Sequence, residues 1–475
     1  MRLFLQKIKE PQIIIILIIL WKFVLELYYP FLNSDGPWIL SHLFSFIRGD
    51  FHSSTFAHDF HGDIFKTHVQ ELLLFPFYYF LPTTTITFLF INYIFITLNV
   101  FLIFYTIKKS FNNSTINFLL PLAYLFSVYT YGFRSETYAL TFLLLILLVS
   151  NINIIAKTKY YSPIIAFLGS VASLIHPMGA ILCSILIVLL LISKKQFLQR
   201  AATLLFLGLL FSYILTFGEL ASYINQYSNS YQSSDIHRWS PELFLKYLTF
   251  SIGFLPLIII SILVNPKRNI IIWIMTLLII SYFGRSYYFS YIVLILLVMY
   301  MERSTNEKFS KYHNKKFALP LSILFLCFAM FITHINPTII NIENTALGKN
   351  YRKVLTQVDL ITKNIPDNCL IWVPPQFAME VIDQSNSRMY FHFYKHMAGE
   401  KINLNINDVI LFFSKSKMED YLNRNILNPQ NELQISTIIS PFSGKLRIGS
   451  LYTKRNEDYG LWKVTHKSTS TSKNN

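Results

Sequence analysis

The sequence predicts a polytopic α-helical membrane protein, with about eleven crossings and a small extracytoplasmic α/β domain at its C-terminal end. Three observations carry that expectation. Hydrophobic residues make up 53% of the 475 positions and charged residues only 14%. The apolar residues come in blocks such as QIIIILIILWKFVLELYYPFL, near the ~20 residues that span a bilayer as a helix. Finally, lysine and arginine collect in alternate loops.

The first block, residues 11–32, follows Arg2, Lys7 and Lys9 as a secretory signal would. It is too long for one and lacks a small-residue cleavage site, so it reads as a retained helix. Lys22 and Glu26 lie one turn apart within it and are expected to pair. Further helices are expected at 83–107, 115–132, 137–155, 162–174, 178–193, 201–219, 243–264, 269–283, 286–302 and 317–337. The segments 162–174 and 178–193 are short, and Pro177 between them leaves a single kinked helix as the alternative. Basic residues flank both ends of that region, and two crossings keep both ends on one side.

The loops from Arg2 to Lys9, at Lys108, Lys157, Lys194 and Lys267, and from Arg303 to Lys316 hold about 17 Lys or Arg, and the intervening loops about five. The first set is cytoplasmic by the positive-inside rule, with the N-terminus among it. The net charge of +16 is thus a topology signal rather than a nucleic-acid footprint. Three segments then share the outer side: loop 33–82, the polar loop 220–242, and everything after residue 338. In the first loop, PWILSHLFSFI and ELLLFPFYYFLP suit helices lying in the interface.

Beyond the transmembrane part (1–337), residues 338–465 carry frequent charges and short apolar runs such as CLIWVPP and DVILFFS, enough for one α/β domain; 466–475, ending STSTSKNN, reads as a disordered tail. Cys183, Cys327 and Cys369 are widely spaced and imply neither a disulfide framework nor a cysteine metal site. The Ile, Lys, Asn and Phe bias fits an AT-rich bacterial genome, hence an inner-membrane location.

Outer loops have no ATP, so chemistry there needs an already activated, lipid-linked donor. Asp35, in NSDGPW just past the first helix, is placed to take a proton from an acceptor hydroxyl, or is a turn aspartate before Gly36 and Pro37. In YGFRSETYAL, Arg134 suits a phosphate and Glu136 a basic or metal partner; the alternative is a helix start with an interfacial ion pair. His176 in LIHPMGA stands at the tip of the short helices, a donor to a phosphate or sugar oxygen or a turn histidine. The run HDFHGDIFKTH brings His58 and Asp59 together with His61, Asp63 and His68. That density suits a divalent cation, although no known ligand spacing occurs and a solvated loop explains it as well. No other cofactor is implied. Arg238 and Arg285 are sparse outer-face arginines that either snorkel or meet an anion.

Together, SDGPWILSHLFSFIRGDF, FRSETYALTFLLLILL and ASLIHPMGAILCSILIVLLLIS resemble the GT-C glycosyltransferases, in the branch of dolichyl-phosphate-mannose protein mannosyltransferases and lipid A aminoarabinose transferases. Asp35 and Arg48-Gly49 stand at the family's first-loop acidic residue and Arg-Gly pair, and Arg134 and Glu136 at its Arg-x-Glu. Leu174, His176, Pro177 and Gly179 match a later turn loosely, while Gly36 and His176 replace an acidic residue and a lysine. The resemblance implies transfer of a sugar, with inversion, from a polyprenyl-phosphate donor to a lipid, glycan or protein acceptor on the outer face. Asp35 would be the general base, a second carboxylate would come from Asp50, Asp59 or Glu136, and cations such as Arg134, His176, Arg238 or Arg285 would stabilise the leaving phosphate. A transporter would instead need polar groups at helix midpoints, which are few, and a catalytically inactive scaffold in surface polysaccharide assembly would also carry the substituted motifs.

Overall fold

A computed structural model describes residues 10–28, 69–81, 85–108, 116–127, 135–151, 160–192, 197–225, 254–264, 270–271, 273–274, 294–297, 324–327, 370–373, 388–391, 410–414, 433–447 and 454–466. The chain divides into two compact units. One gathers Met1–Leu25, Ile64–Leu72 and Phe90–Thr338; the other gathers Glu26–Asp63, Leu73–Leu89 and Ile339–Asn475.

The helices are α1 (Glu10–Tyr28), α2 (Val69–Phe80), α3 (Thr85–Lys108), α4 (Ile116–Leu125), α5 (Ser135–Asn151), α6 (Tyr161–Ile175), α7 (Pro177–Ile192), α8 (Phe197–Leu215) and α9 (Leu255–Val264). Among the described residues, one helical stretch, Ile86–Ile107 in α3, is long and apolar enough by itself to cross a bilayer. The 15 and 16 residues of α6 and α7 would reach only about 22–24 Å at the rise of an α-helix.

These helices bury a few polar side chains within a mostly apolar interior and carry apolar side chains on the outside as well. On α3, Asn92, Asn99 and Thr106 recur at seven-residue spacing and are buried. Ile86, Phe90, Ile94, Leu98, Phe101 and Tyr105 form an exposed apolar stripe along the same helix. On α8, Leu205, Phe206, Leu209, Tyr213 and Ile214 are likewise exposed. A water-soluble helix would present polar groups on that outer face.

Buried hydrogen bonds join these helices. Asn99 Nδ2 donates to Tyr124 Oη on α4 at 3.1 Å and to the Thr137 carbonyl on α5 at 3.0 Å, while Thr141 Oγ1 donates to Asn99 Oδ1 at 2.7 Å. Phe95 meets Tyr138 edge to face. Lys22 on α1 is almost completely buried, and its Nζ donates to the Leu125 carbonyl at 2.7 Å. Leu125 ends α4, so the ammonium satisfies a C-terminal carbonyl at the negative end of that helix. The side chain of Glu26, its expected partner, lies outside the described residues.

Helix α6 packs against α5, α7 and α8. Ser170 Oγ reaches the Gly208 carbonyl of α8 at 2.9 Å. Gly169 of α6 faces Cys183 of α7, and these two positions are equally far along the chain from His176. The chain therefore folds back there as a hairpin of two helices rather than a single kinked one.

Glu71, in the first turn of α2, is buried, and desolvation pushes its carboxyl up to about 7, against the opposite pull of a backbone hydrogen bond at Glu71.

The second unit holds a five-stranded sheet in the order β2-β1-β3-β5-β4, from β1 (Leu370–Val373), β2 (Arg388–Phe391), β3 (Ile410–Ser414), β4 (Leu433–Arg447) and β5 (Lys454–His466). Strands β1, β2 and β3 are parallel, whereas β5 runs antiparallel to both β3 and β4. The long β4–β5 hairpin pairs Leu433 with His466 at one end and Arg447 with Lys454 at the other. Its register slips between Ile439 and Phe442, around Pro441, which has no N–H to give the ladder. Trp462, opposite both Thr437 and Phe412, is buried.

Candidate functional site

The sequence singles out residues at helix ends, and two of these meet. Glu136 is the second residue of α5, where a carboxylate suits the positive end of the helix. It is 4% exposed at the side chain. His176 occupies the turn between α6 and α7. Pro177 disfavours helical backbone in the residue before it, and His176 is extended, with φ −155° and ψ 140°. The break in the helix at this point follows from the His-Pro step.

Having left α6, His176 begins α7. Its Nδ1 accepts the Met178 N–H at 3.1 Å, so the imidazole takes the N-cap role usually filled by serine, aspartate or asparagine. Pro177 fits the first helical position because it has no N–H to leave unsatisfied. The turn is closed by Gly179, whose N–H donates to the His176 carbonyl at 2.7 Å. A Cβ on Gly179 would stand 1.9 Å from the Ala172 carbonyl oxygen, a backbone atom with no room to yield. Only glycine permits a turn this tight.

His176 Nε2 lies 3.7 Å from Glu136 Oε1, with 12% of the histidine side chain exposed. That separation is too long for a direct hydrogen bond. A ring that accepts at Nδ1 carries its proton on Nε2, so an N–H faces a carboxylate oxygen across a gap. With Nδ1 engaged by the Met178 N–H, Nε2 is the ring atom turned toward the carboxylate.

The Asn99 network fixes the base of this site. Both donors of the Asn99 amide are engaged, one of them on the Thr137 carbonyl adjacent to Glu136, and its oxygen takes Thr141. The first turn of α5 is thereby tied to α3 and α4. Nothing in the sequence analysis marked Asn99, Tyr124, Thr137 or Thr141 as part of the site. The signal that finds them is the seven-residue recurrence of Asn92, Asn99 and Thr106 in an otherwise apolar run.

Of the remaining candidates, Asp35, His58, Asp59, Arg134, Arg238 and Arg285 lie outside the described residues, as do Arg48, Gly49 and the rest of the histidine-rich run. Among the described residues, no group of three or more His, Cys, Asp or Glu is arranged to hold a metal ion. No protein-family model matches the chain, and no curated protein is significantly similar to it.

Proposed function

We propose that the protein is a membrane glycosyltransferase that moves a sugar from a polyprenyl-phosphate donor to an acceptor on the outer face of a bacterial inner membrane. The observation that carries the proposal is the convergence of Glu136 and His176. They come from two of the motifs on which the resemblance rests, stand on separate helices, and lie 3.7 Å apart at the start of α5 and the tip of the α6–α7 hairpin.

Two further features support the reading. Apolar stripes on the outside of α3 and α8 suit contact with lipid, and the buried amide of Asn99 is used for interhelical bonds. The mid-helix amide of Asn99 has all its hydrogen-bonding groups committed to neighbouring helices, which leaves it nothing to offer a transported solute.

In this mechanism Asp35 takes the proton of the acceptor hydroxyl as that oxygen attacks the anomeric carbon from the face opposite the lipid phosphate, with inversion. Arg134, immediately before α5, offers a planar fork to the departing phosphate. Glu136 serves as the second carboxylate.

The test is turnover of a polyprenyl-phosphate hexose by purified protein carrying Asp35→Asn, which keeps size and hydrogen bonding but removes the basic oxygen. Transfer is expected to fall by about 10²-fold or more at unchanged expression. Undiminished turnover would reduce Asp35 to a turn residue and remove the proposal's general base.

A further inference from the structure

The C-terminal end of α8 turns a corner that its own residues disfavour. Thr216 N–H still donates to the Ser212 carbonyl at 3.0 Å, as in a helix. Phe217 N–H then donates to the Ile214 carbonyl at 3.0 Å and Gly218 N–H to the Tyr213 carbonyl at 2.9 Å, the paired bonds of a Schellman stop. The first left-handed residue of such a stop is usually glycine. Here it is Phe217, with φ 53°, and Gly218 follows at 89°. A bulky side chain in the left-handed region is a steric outlier, and such outliers persist where something besides the local backbone holds them. Beyond the corner, residues 220–225 are helical again, a stretch too short to stand alone in water.

The side chains show what holds both. The exposed apolar stripe of α8 reaches Tyr213 and Ile214, and Phe217, four residues beyond Tyr213 and 68% exposed, prolongs it past the end of the helix. Tyr213 lies along the corner: a Cβ on Gly218 would stand 3.3 Å from its hydroxyl oxygen. At about 100° per residue, the short helix is two-sided, with Leu220, Tyr223 and Ile224 on one side and Ala221, Ser222 and Asn225 on the other. Ser222 and Asn225 are exposed, and so is Ile224, at 53%.

We infer that this corner anchors α8 in the headgroup boundary of a phospholipid bilayer, with Phe217 and Ile224 entering the edge of the acyl region and Ser222 and Asn225 facing water. The inference rests on the membrane reading of the chain and not on glycosyl transfer. Three observations select a bilayer surface as the partner. The apolar positions continue the stripe of α8 without a break, the aromatic pair Tyr213 and Phe217 stands at a helix end, and the short helix is apolar and polar on opposite sides. A surface that is apolar below and wet above meets all three. Taking Phe217 and Ile224 out of water there offsets the cost of the left-handed backbone and fixes the depth of α8.

The test is spin labelling of the full chain in nanodiscs of phosphatidylglycerol and phosphatidylcholine. Cys183, Cys327 and Cys369 are replaced by alanine, and a single label is carried at Leu209→Cys, Ser222→Cys or Ile224→Cys. Power saturation with oxygen, which concentrates in acyl chains, and with a water-soluble nickel chelate reads the depth of each. The label at 209 is expected to favour oxygen most, the label at 224 to be shifted toward oxygen, and the label at 222 to favour nickel. Equal nickel preference at 222 and 224, with 209 in lipid, would overturn the anchor alone. Nickel preference at 209 would remove the membrane reading of α8 and the anchor with it. Spin–spin broadening at 224 that disappears on dilution with unlabelled protein would assign the face to a second copy of the chain and overturn the bilayer as its partner. Phe217→Gly suits the left-handed position while removing the ring, so the label at 224 is expected to shift toward nickel, and Phe217→Trp to leave it unmoved. An unmoved label in the Gly variant would refute the part given to Phe217. The assay contains no sugar donor, so its outcome is separate from that of Asp35→Asn.

Discussion

The hairpin that presents His176 depends on how closely α6 and α7 approach, and Gly169 opposite Cys183 sets that approach. A Cβ on Gly169 would lie 2.7 Å from Cys183 Sγ, with Ile146 Cδ1 and Ile187 Cδ1 each at 4.0 Å. Heavy atoms in good contact stand about 3.5–4.0 Å apart, so Gly169→Ala demands a shift of about 1 Å from a buried thiol. Overpacking of this kind costs about 1–3 kcal/mol. Cys183→Ala alone removes a small buried side chain and costs about 1 kcal/mol. The double variant moves one heavy atom from one side of the contact to the other and nearly conserves volume, so its stability should lie close to that of Cys183→Ala alone. A favourable coupling of about 1–3 kcal/mol, the overpacking cost itself, is the expected result of the cycle. Thermal unfolding of the detergent-purified variants, followed by far-ultraviolet circular dichroism, measures it. Additive losses in the double variant would show that the helices do not meet at Gly169 and Cys183, and would remove the geometry on which the His176 turn rests.

Two further outcomes follow from buried polar groups. Asn99→Leu removes three hydrogen bonds to α4 and α5 and should cost about 2 kcal/mol, taking about 0.6 for each bond between membrane helices; an unchanged unfolding midpoint would refute the network. Glu71 is raised from 4.5 to about 7 by burial, so the folded protein keeps a proton that the unfolded chain releases. Its contribution is fully present below about pH 4.5 and is lost as pH rises through about 7. At about 1.4 kcal/mol per unit this is a fall of about 3 kcal/mol. Melting temperature against pH should show that fall, and Glu71→Gln should flatten it; an equal slope in the Gln variant would assign the pH dependence to other groups.

What was legible in the sequence was the placement of the breaks. The expected segment 83–107 appears as α3 over Thr85–Lys108, and 137–155 as α5 over Ser135–Asn151, because long apolar runs and a Ser-Glu start mark helices without help from tertiary contacts. At Pro177 the sequence left a kinked single helix as the alternative, and the flanking basic residues favoured the two helices that α6 and α7 form. The apolar runs CLIWVPP and DVILFFS contain β1 and β3. Partners were not legible in this way. Spacing suggests Glu26 as a partner of Lys22, and the Lys22 amine also reaches a carbonyl at the end of α4, a group that every residue possesses and no sequence pattern advertises. Asn99 is equally silent, since its three partners come from α4 and α5, and only packing brings them round one amide.

The tautomer of His176 lies furthest from the sequence. Read as a residue type, a histidine at an outer helix tip is a candidate cation, and in that role it belongs with Arg134 near a phosphate. Its electrical character at this site depends on one backbone N–H two residues further on. That N–H is free to cap only because Pro177 starts a new helix and Gly179 lets the chain pass 2.7 Å from the His176 carbonyl. Sequence supplies each of these parts, but the tautomer of the ring emerges only from their geometry. The same holds for Glu136, which would be an unremarkable first-turn carboxylate were the hairpin tip not brought to 3.7 Å from it. Moving His176 by one position would leave the apolar pattern and the expected helices unchanged while removing the cap, the tautomer and the pair together. The motif therefore carries its chemistry through the turn that holds it, and substitutions at Pro177 or Gly179 should act on the site as strongly as substitutions at His176 itself.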